Sequence, residues 1–419
     1  MSKGDYKICA RDEMSLKSLQ EDYLRFLGKD GARLVTGAER ATYMANELDV
    51  YALEKGLRRP CRYLLSPFFE DCGMVSERRD GFGPVVVGVM SRSIHAAEDT
   101  NDFKAEASVA LAISPYNEFG AEVMRTEHGF LVLISPVTFS FCFLYAILAV
   151  TSAQATGLFY QGLAARGPDD VPLIDPFEWV YASHRALMST VQEFLKSGSV
   201  ADPLGRVKEA RFDLLPWHYI YRVQATYEQM LDFLALHELG HISLGHMGQM
   251  ELVRRVVPST SISYEVSSPM PAQEEAADKF SLNCLVGRGH AEELLALFHL
   301  IEEEGVQSDK LDKLWTGKTS LGRYTSALQL LKLFDIFDSG QCRKNAGFEF
   351  TDACEINGTH PSGQHRFIKG WANNHVLELQ APHQFNIGPI IQWSNWINFD
   401  ASTHTQEQVR AICQQLDIL

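Results

Sequence analysis

Between Phe130 and Val150 the chain reads "FLVLISPVTFSFCFLYAILAV", 21 residues without a charge, and a stretch like this must leave water in any fold. About 20 apolar residues suffice to cross a bilayer as a helix. Ser135-Pro136 divides the stretch, however: Ser favours the N-cap of a helix and Pro its first position. The spacing predicts a buried strand, "FLVLIS", followed by a core helix from 136 to about 154. The Glu127-His128-Gly129 turn ahead of the strand, and the scarcity of basic anchors on either side, favour this strand–helix unit over a membrane span. With 419 residues, 46% of them apolar, the chain can enclose such a unit in one large domain or two to three smaller ones.

Strands are also expected at "PVVVGVM" (84–90), "ASVALAIS" (107–114) and "AEVMRT" (121–126). The last pairs with "FLVLIS" as an antiparallel hairpin. Residues 14–57 read as two amphipathic helices broken near Gly28 to Gly31. Further helices are expected at 176–197, 223–247, 272–286, 290–304, 320–337 and 361–376, and the Ser- and Pro-rich stretch 254–273 reads as a loop. With strands only before residue 135, the expected class is α+β: a mostly helical body with a small antiparallel sheet preceding the helix at 223–247. No clear linker marks a boundary. The working division is an N-terminal accessory region, 1–100, a main domain, 101–380, and a C-terminal tail, 381–419, packed on it.

Charge narrows the partners. The net charge is −15, from 53 acidic and 38 basic residues. An acidic surface without a Lys/Arg block repels phosphate backbones, so nucleic acid is not an expected partner. The eight cysteines form no CxxC pair, and the first residues, "MSKGDYKICARDEMS", lack an apolar secretory core; both features point to a reducing, cytoplasmic setting. Cys284 reads as a buried structural cysteine. No Walker A, GxGxxG or GxSxG loop follows a convincing strand.

The helix at 223–247 contains "LHELGHISLGHM". His237-Glu238-Leu239-Gly240-His241 is HExxH, in which residues four apart differ by about 40° around a helix, so both imidazoles leave one face. Tyr227, Met230 and Leu234 continue that stripe and seat the histidines in the interior. Two such nitrogens can hold a zinc ion from one rigid element, and Glu238, rotated aside, can reach a metal-bound water as general base. A catalytic zinc needs a third protein ligand. "AQEEAADKF" offers Glu274, with Glu275 as the alternative, and Asp278 on the Glu274 face as the partner of a ligating histidine. His246 is a rival ligand, but the metzincin spacing fails by one residue and His246 lies well round the helix from His241. It reads as a helix-end histidine.

HELGH, a following ExxxD helix, and then "HPSGQHR" with His360 and Arg366 together resemble the M48 and related minigluzincin zinc metallopeptidases. "HELGHISLGH…EEAAD" is also similar to the smaller ImmA-type and Lit-type peptidases. The resemblance implies a zincin-like fold, Zn2+ as cofactor and a protein or peptide substrate. It also implies that His360 and Arg366 lie beside the metal, as catalytic donors to substrate or to the charged intermediate. The hairpin at 121–134 is then expected to offer a peptide an edge strand. M48 enzymes are commonly membrane-embedded, and this chain departs from them in having at most one ambiguous span. The expected function is zinc-dependent endopeptidase. The alternative is a zincin-like binding or regulatory module, for which the Lit-type likeness suggests phage defence or a toxin system. Substrate identity and oligomeric state are not readable.

Overall fold

The computed structural model describes residues 84–99, 108–114, 118–161, 176–215, 217–248, 251–256, 263–268 and 270–286. It also describes most of 323–337 and the single position Arg366. The helices expected at 14–57 and 290–304, the tail 381–419 and His360 lie outside these residues, as does the 361–376 helix except for Arg366, which is helical.

The order of elements is α1 (Pro84–Asp99), β1 (Ser108–Ile113), β2 (Ala121–Arg125), β3 (Gly129–Ile134), α2 (Pro136–Gln161), α3 (Pro176–Ser197), α4 (Pro203–Glu209), α5 (Trp217–Ser243), β4 (Glu251–Val256), β5 (Ser263–Ser268) and α6 (Pro271–Val286). The class is α+β and mostly helical, as expected. The uncharged stretch divides at Ser135 into β3 and α2, and every residue from Leu131 to Thr151 is buried. Burial on all sides explains why this segment shows no polar face. No helix among the described residues is long and apolar enough to cross a membrane.

Among the described residues the sheet is five-stranded, in the order β1-β3-β2-β5-β4. β2 and β3 form the expected antiparallel hairpin, with Ala121 opposite Ile134. Three expectations need correction. β1 runs parallel to β3, Ser108 opposite Gly129, so the sheet is mixed rather than antiparallel. Residues 254–273 are not all loop: β4 and β5 pair antiparallel from Glu251–Ser268 to Val256–Ser263, and β5 joins β2 at Met124–Val266. The Ser- and Pro-rich run between and after them, together with the serines of β5, hid the pair. The sheet therefore does not end before α5. And β2 and β3 are both interior strands, so the hairpin offers no edge; the outer strands are β1 and β4.

A further correction concerns 84–90, which is helical. Its β-branched run favours a strand locally, but Val89, Ser93 and Ala97, each four residues apart, are fully buried on one face. Packing against α5 overrides the propensity. The Arg92 guanidinium fixes this contact by gripping Asp232 of α5 with Nε to Oδ2 at 2.9 Å and Nη2 to Oδ1 at 2.8 Å, and it also reaches Glu228 at 3.2 Å.

α5 passes through the centre, packed by α1, α2 and α6. α6 lies close because Gly240 has no side chain: a Cβ there would come 3.1 Å from Phe280 Cδ1 and 3.2 Å from the Ala277 Cα. Ser281 Oγ donates to the Phe233 carbonyl at 2.6 Å and pins the two helices. The start of α6 is secured by Gln273, whose side chain accepts from the Met270 N–H at 2.8 Å while the Gln273 N–H bonds the Met270 carbonyl, half of a capping box closed by glutamine. Residues of 323–337 cover this region. Arg323 donates to the Leu285 carbonyl, Ser326 Oγ bonds Gln229, and Phe334 and Phe337 join Phe119 and Phe141 in an aromatic cluster.

Candidate metal centre

Late in α5, His237 and His241 project from one face, and the first turn of α6 brings Glu274 to meet them. All three are buried; Glu274 is 1% exposed. His237 Nε2 lies 3.2 Å from His241 Nε2 and 3.3 Å from Glu274 Oε2, and His241 Nε2 lies 3.2 Å from Glu274 Oε1. Four ligands at tetrahedral angles, each about 2.0–2.1 Å from a zinc ion, stand roughly 3.3 Å from one another. The His237–His241 separation matches one edge of that tetrahedron, and each imidazole stands at the same spacing from one of the two Glu274 carboxylate oxygens. This His–His–Glu group could hold a metal ion.

Polar chemistry leads to the same conclusion. A buried carboxylate is costly without positive charge beside it. His237 Nδ1 lies 2.9 Å from Asp278 Oδ1, and Asp278 is itself gripped by Arg366, Nη2 to Oδ1 at 2.6 Å and Nε to Oδ2 at 2.8 Å. Burial would raise the Asp278 pKa, but Arg366 and His237 outweigh it and hold the carboxyl below its usual range. Asp278 is therefore an ionised acceptor, and the His237 Nδ1–H donates to it. Neutral His237 then presents a bare Nε2 to the Glu274 carboxylate and to His241. Lone pairs at 3.2 Å repel unless a hydrogen, such as an Nε2–H of His241, or a metal ion sits among them. Burial alone would push the His237 pKa down, yet Glu274 and Asp278 together raise it well above its ordinary value. These surroundings favour positive charge. His241 differs: burial, only partly offset by Glu274, lowers its pKa to about 4, so it is a neutral imidazole at physiological pH, the form that ligates.

Of the residues expected at the site, His237, His241 and Glu274 converge and Asp278 backs His237. Glu275 is not part of the group and is only half-buried, since α6 presents 274, 278 and 281 to α5 and turns 275 aside. Glu238 is buried, 7% exposed. Arg366 lies beside the group, with Nη2 3.4 Å from His237 Nδ1. It is 6% exposed, stacks over the Phe334 ring at 5.1 Å and spends its guanidinium on Asp278, with Glu274 at 3.8 Å. Paired in this way it is the counter-charge of Asp278.

His246 is not part of the group. It follows α5 in a single 3-10 turn and meets His241 at the opposite ring nitrogen, Nδ1 to Nδ1 at 3.0 Å. Burial holds its pKa below the ordinary value. This contact was not readable in the sequence, where His246 reads as a helix-end residue; the Leu244-Gly245-His246 turn was the available signal. No protein-family model, curated protein or solved structure matches the chain.

Proposed function

We propose that the chain is a zinc-dependent endopeptidase of the gluzincin type, with a zincin-like fold around the α5–α6 pair. The observation that carries this reading is a buried group of two imidazole nitrogens 3.2 Å apart, each 3.2–3.3 Å from one oxygen of the Glu274 carboxylate, with Glu238 next to His237 in the chain. His237, His241 and Glu274 would hold the ion, leaving a fourth position open. When bound, zinc supplies a Lewis acid and lowers the pKa of water from 15.7 towards about 7. Glu238 accepts a proton from the attacking water and returns it to the leaving amine. Asp278, gripped by Arg366, holds the His237 ring in orientation. His360, which the resemblance to the M48-type peptidases implies beside the metal, would donate to the carbonyl oxygen as negative charge develops there. An extended protein substrate would pair along an outer strand, β1 or β4, since the hairpin strands are interior.

The test compares cellular proteins after induction of the wild type and of Glu238→Gln. New cleaved N-termini should arise with the wild type alone, while both forms retain zinc. Identical termini from the two would reject the peptidase and leave a zincin-like binding module.

A further inference from the structure

We infer that His246 is a positioning residue of the metal centre: its Nδ1 accepts the Nδ1–H of His241 and fixes the tautomer that turns a bare His241 Nε2 towards the cation. The inference rests on the metal-binding reading above and adds to it a role that HExxH does not contain.

Two residues of backbone make the contact. If α5 continued past Ser243, His246 would lie about 140° round from His241 and could not reach it. The helix instead ends on a left-handed residue, Gly245, at φ 71°. The Leu244 N–H still bonds the Gly240 carbonyl, while the Gly245 N–H bonds Ile242. This is the conformation glycine adopts without strain at a helix end, and it turns the chain so that the His246 ring lies back over His241, 5.2 Å between centroids. His246 is 8% exposed, so water competes little for its ring.

Two imidazole nitrogens 3.0 Å apart need one proton between them; two protons would clash and none would leave facing lone pairs. The shared proton has two placements. On His246 Nδ1, it would make His241 Nδ1 the acceptor and put the His241 proton on Nε2, pointing into the group of donor atoms. On His241 Nδ1, it leaves Nε2 bare. Only the second is compatible with a cation there. A ligating histidine ordinarily donates its other N–H to a carboxylate, carbonyl or water, and that partner sets the tautomer. The two ligands are thus supported differently: His237 by a carboxylate charge and His241 by a neutral ring.

The test measures zinc dissociation constants by chelator competition near pH 8, where an ordinary histidine is neutral, for the wild type, His246→Leu and His246→Asn. Leu keeps the bulk and removes the acceptor; Asn places an oxygen close to where Nδ1 stood. The Leu variant should bind zinc about ten- to a hundredfold more weakly, and the Asn variant should recover most of that loss. Imidazole nitrogen NMR of the zinc-loaded wild type should show a protonated His241 Nδ1 coupled to the His246 nitrogen. Wild-type affinity in His246→Leu, or an unprotonated His241 Nδ1, overturns the inference. If His246→Leu fails to fold, the Asn variant and the wild-type NMR signal still decide it. Wild-type protein that takes up no zinc would overturn the metal site itself, a distinguishable result.

Discussion

Arg366 stands behind the His237 ring as the counter-charge of Asp278, and both groups are buried. Removing the guanidinium leaves an ionised carboxylate without its strongest partner, the costly half of a broken buried pair. Arg366→Met should therefore destabilise the fold by about 3 kcal/mol, read as a lower denaturation midpoint. The pH dependence has a definite sign. The Asp278 pKa is depressed in the folded state, so its contribution is present above the ordinary carboxylate range and is lost as pH falls through the folded value. Wild type and Arg366→Met should converge in stability on acidification. At this scale much of the site is legible in the sequence. HExxH marks the two histidines, and the shared face of Glu274 and Asp278 favours Glu274, while Glu275 stays open as the alternative until α6 turns it aside. The role of Arg366 is not legible, because it depends on a contact 88 residues away in the chain. The His241–His246 pairing is hidden by a single left-handed glycine.

The contact between α5 and α6 brings His237, His241 and Glu274 together, and it depends on a missing side chain. Gly240→Ala has to move Ala277 and Phe280 by a few tenths of an ångström or part the helices. Because the Ala277 Cα is backbone, the helices should part, costing about 1–3 kcal/mol and weakening zinc binding as Glu274 withdraws; competition with a chelator measures the second effect. The α1–α5 contact gives another test. Burial raises the Asp232 pKa to about 6 despite Arg92. A folded pKa above the ordinary value means that stability declines as pH rises from about 4 to 6. Arg92→Leu removes the compensating charge, so its loss, about 2 kcal/mol near pH 8, should shrink near pH 5 as Asp232 takes up a proton. An equal loss at both pH values, by chemical denaturation, would refute this. Helices with long apolar stripes were readable from their periods. α1 was not, because its β-branched opening residues favour a strand until α5 covers them; nor were β4 and β5, which border a Ser- and Pro-rich run.

Sheet order is a property of the whole molecule, and sequence periodicity carries little of it. The parallel β1–β3 pairing and the insertion of β2 between β3 and β5 follow from long-range contacts that no local window contains. The His–His–Glu group is assembled at the same scale, from two helices separated by the β4–β5 hairpin, and a ligand that binds only the folded chain must stabilise it. Zinc at a thousandfold excess over its dissociation constant should add about 4 kcal/mol of unfolding free energy, with no gain in His237→Ala. The most direct measurement is the metal content of gently purified protein by native mass spectrometry, with His237→Ala and Glu274→Ala alongside. The wild type should carry about one zinc ion per chain and each variant none. A wild type without stoichiometric metal, or variants that retain it, would contradict the convergence of His237, His241 and Glu274 on one cation.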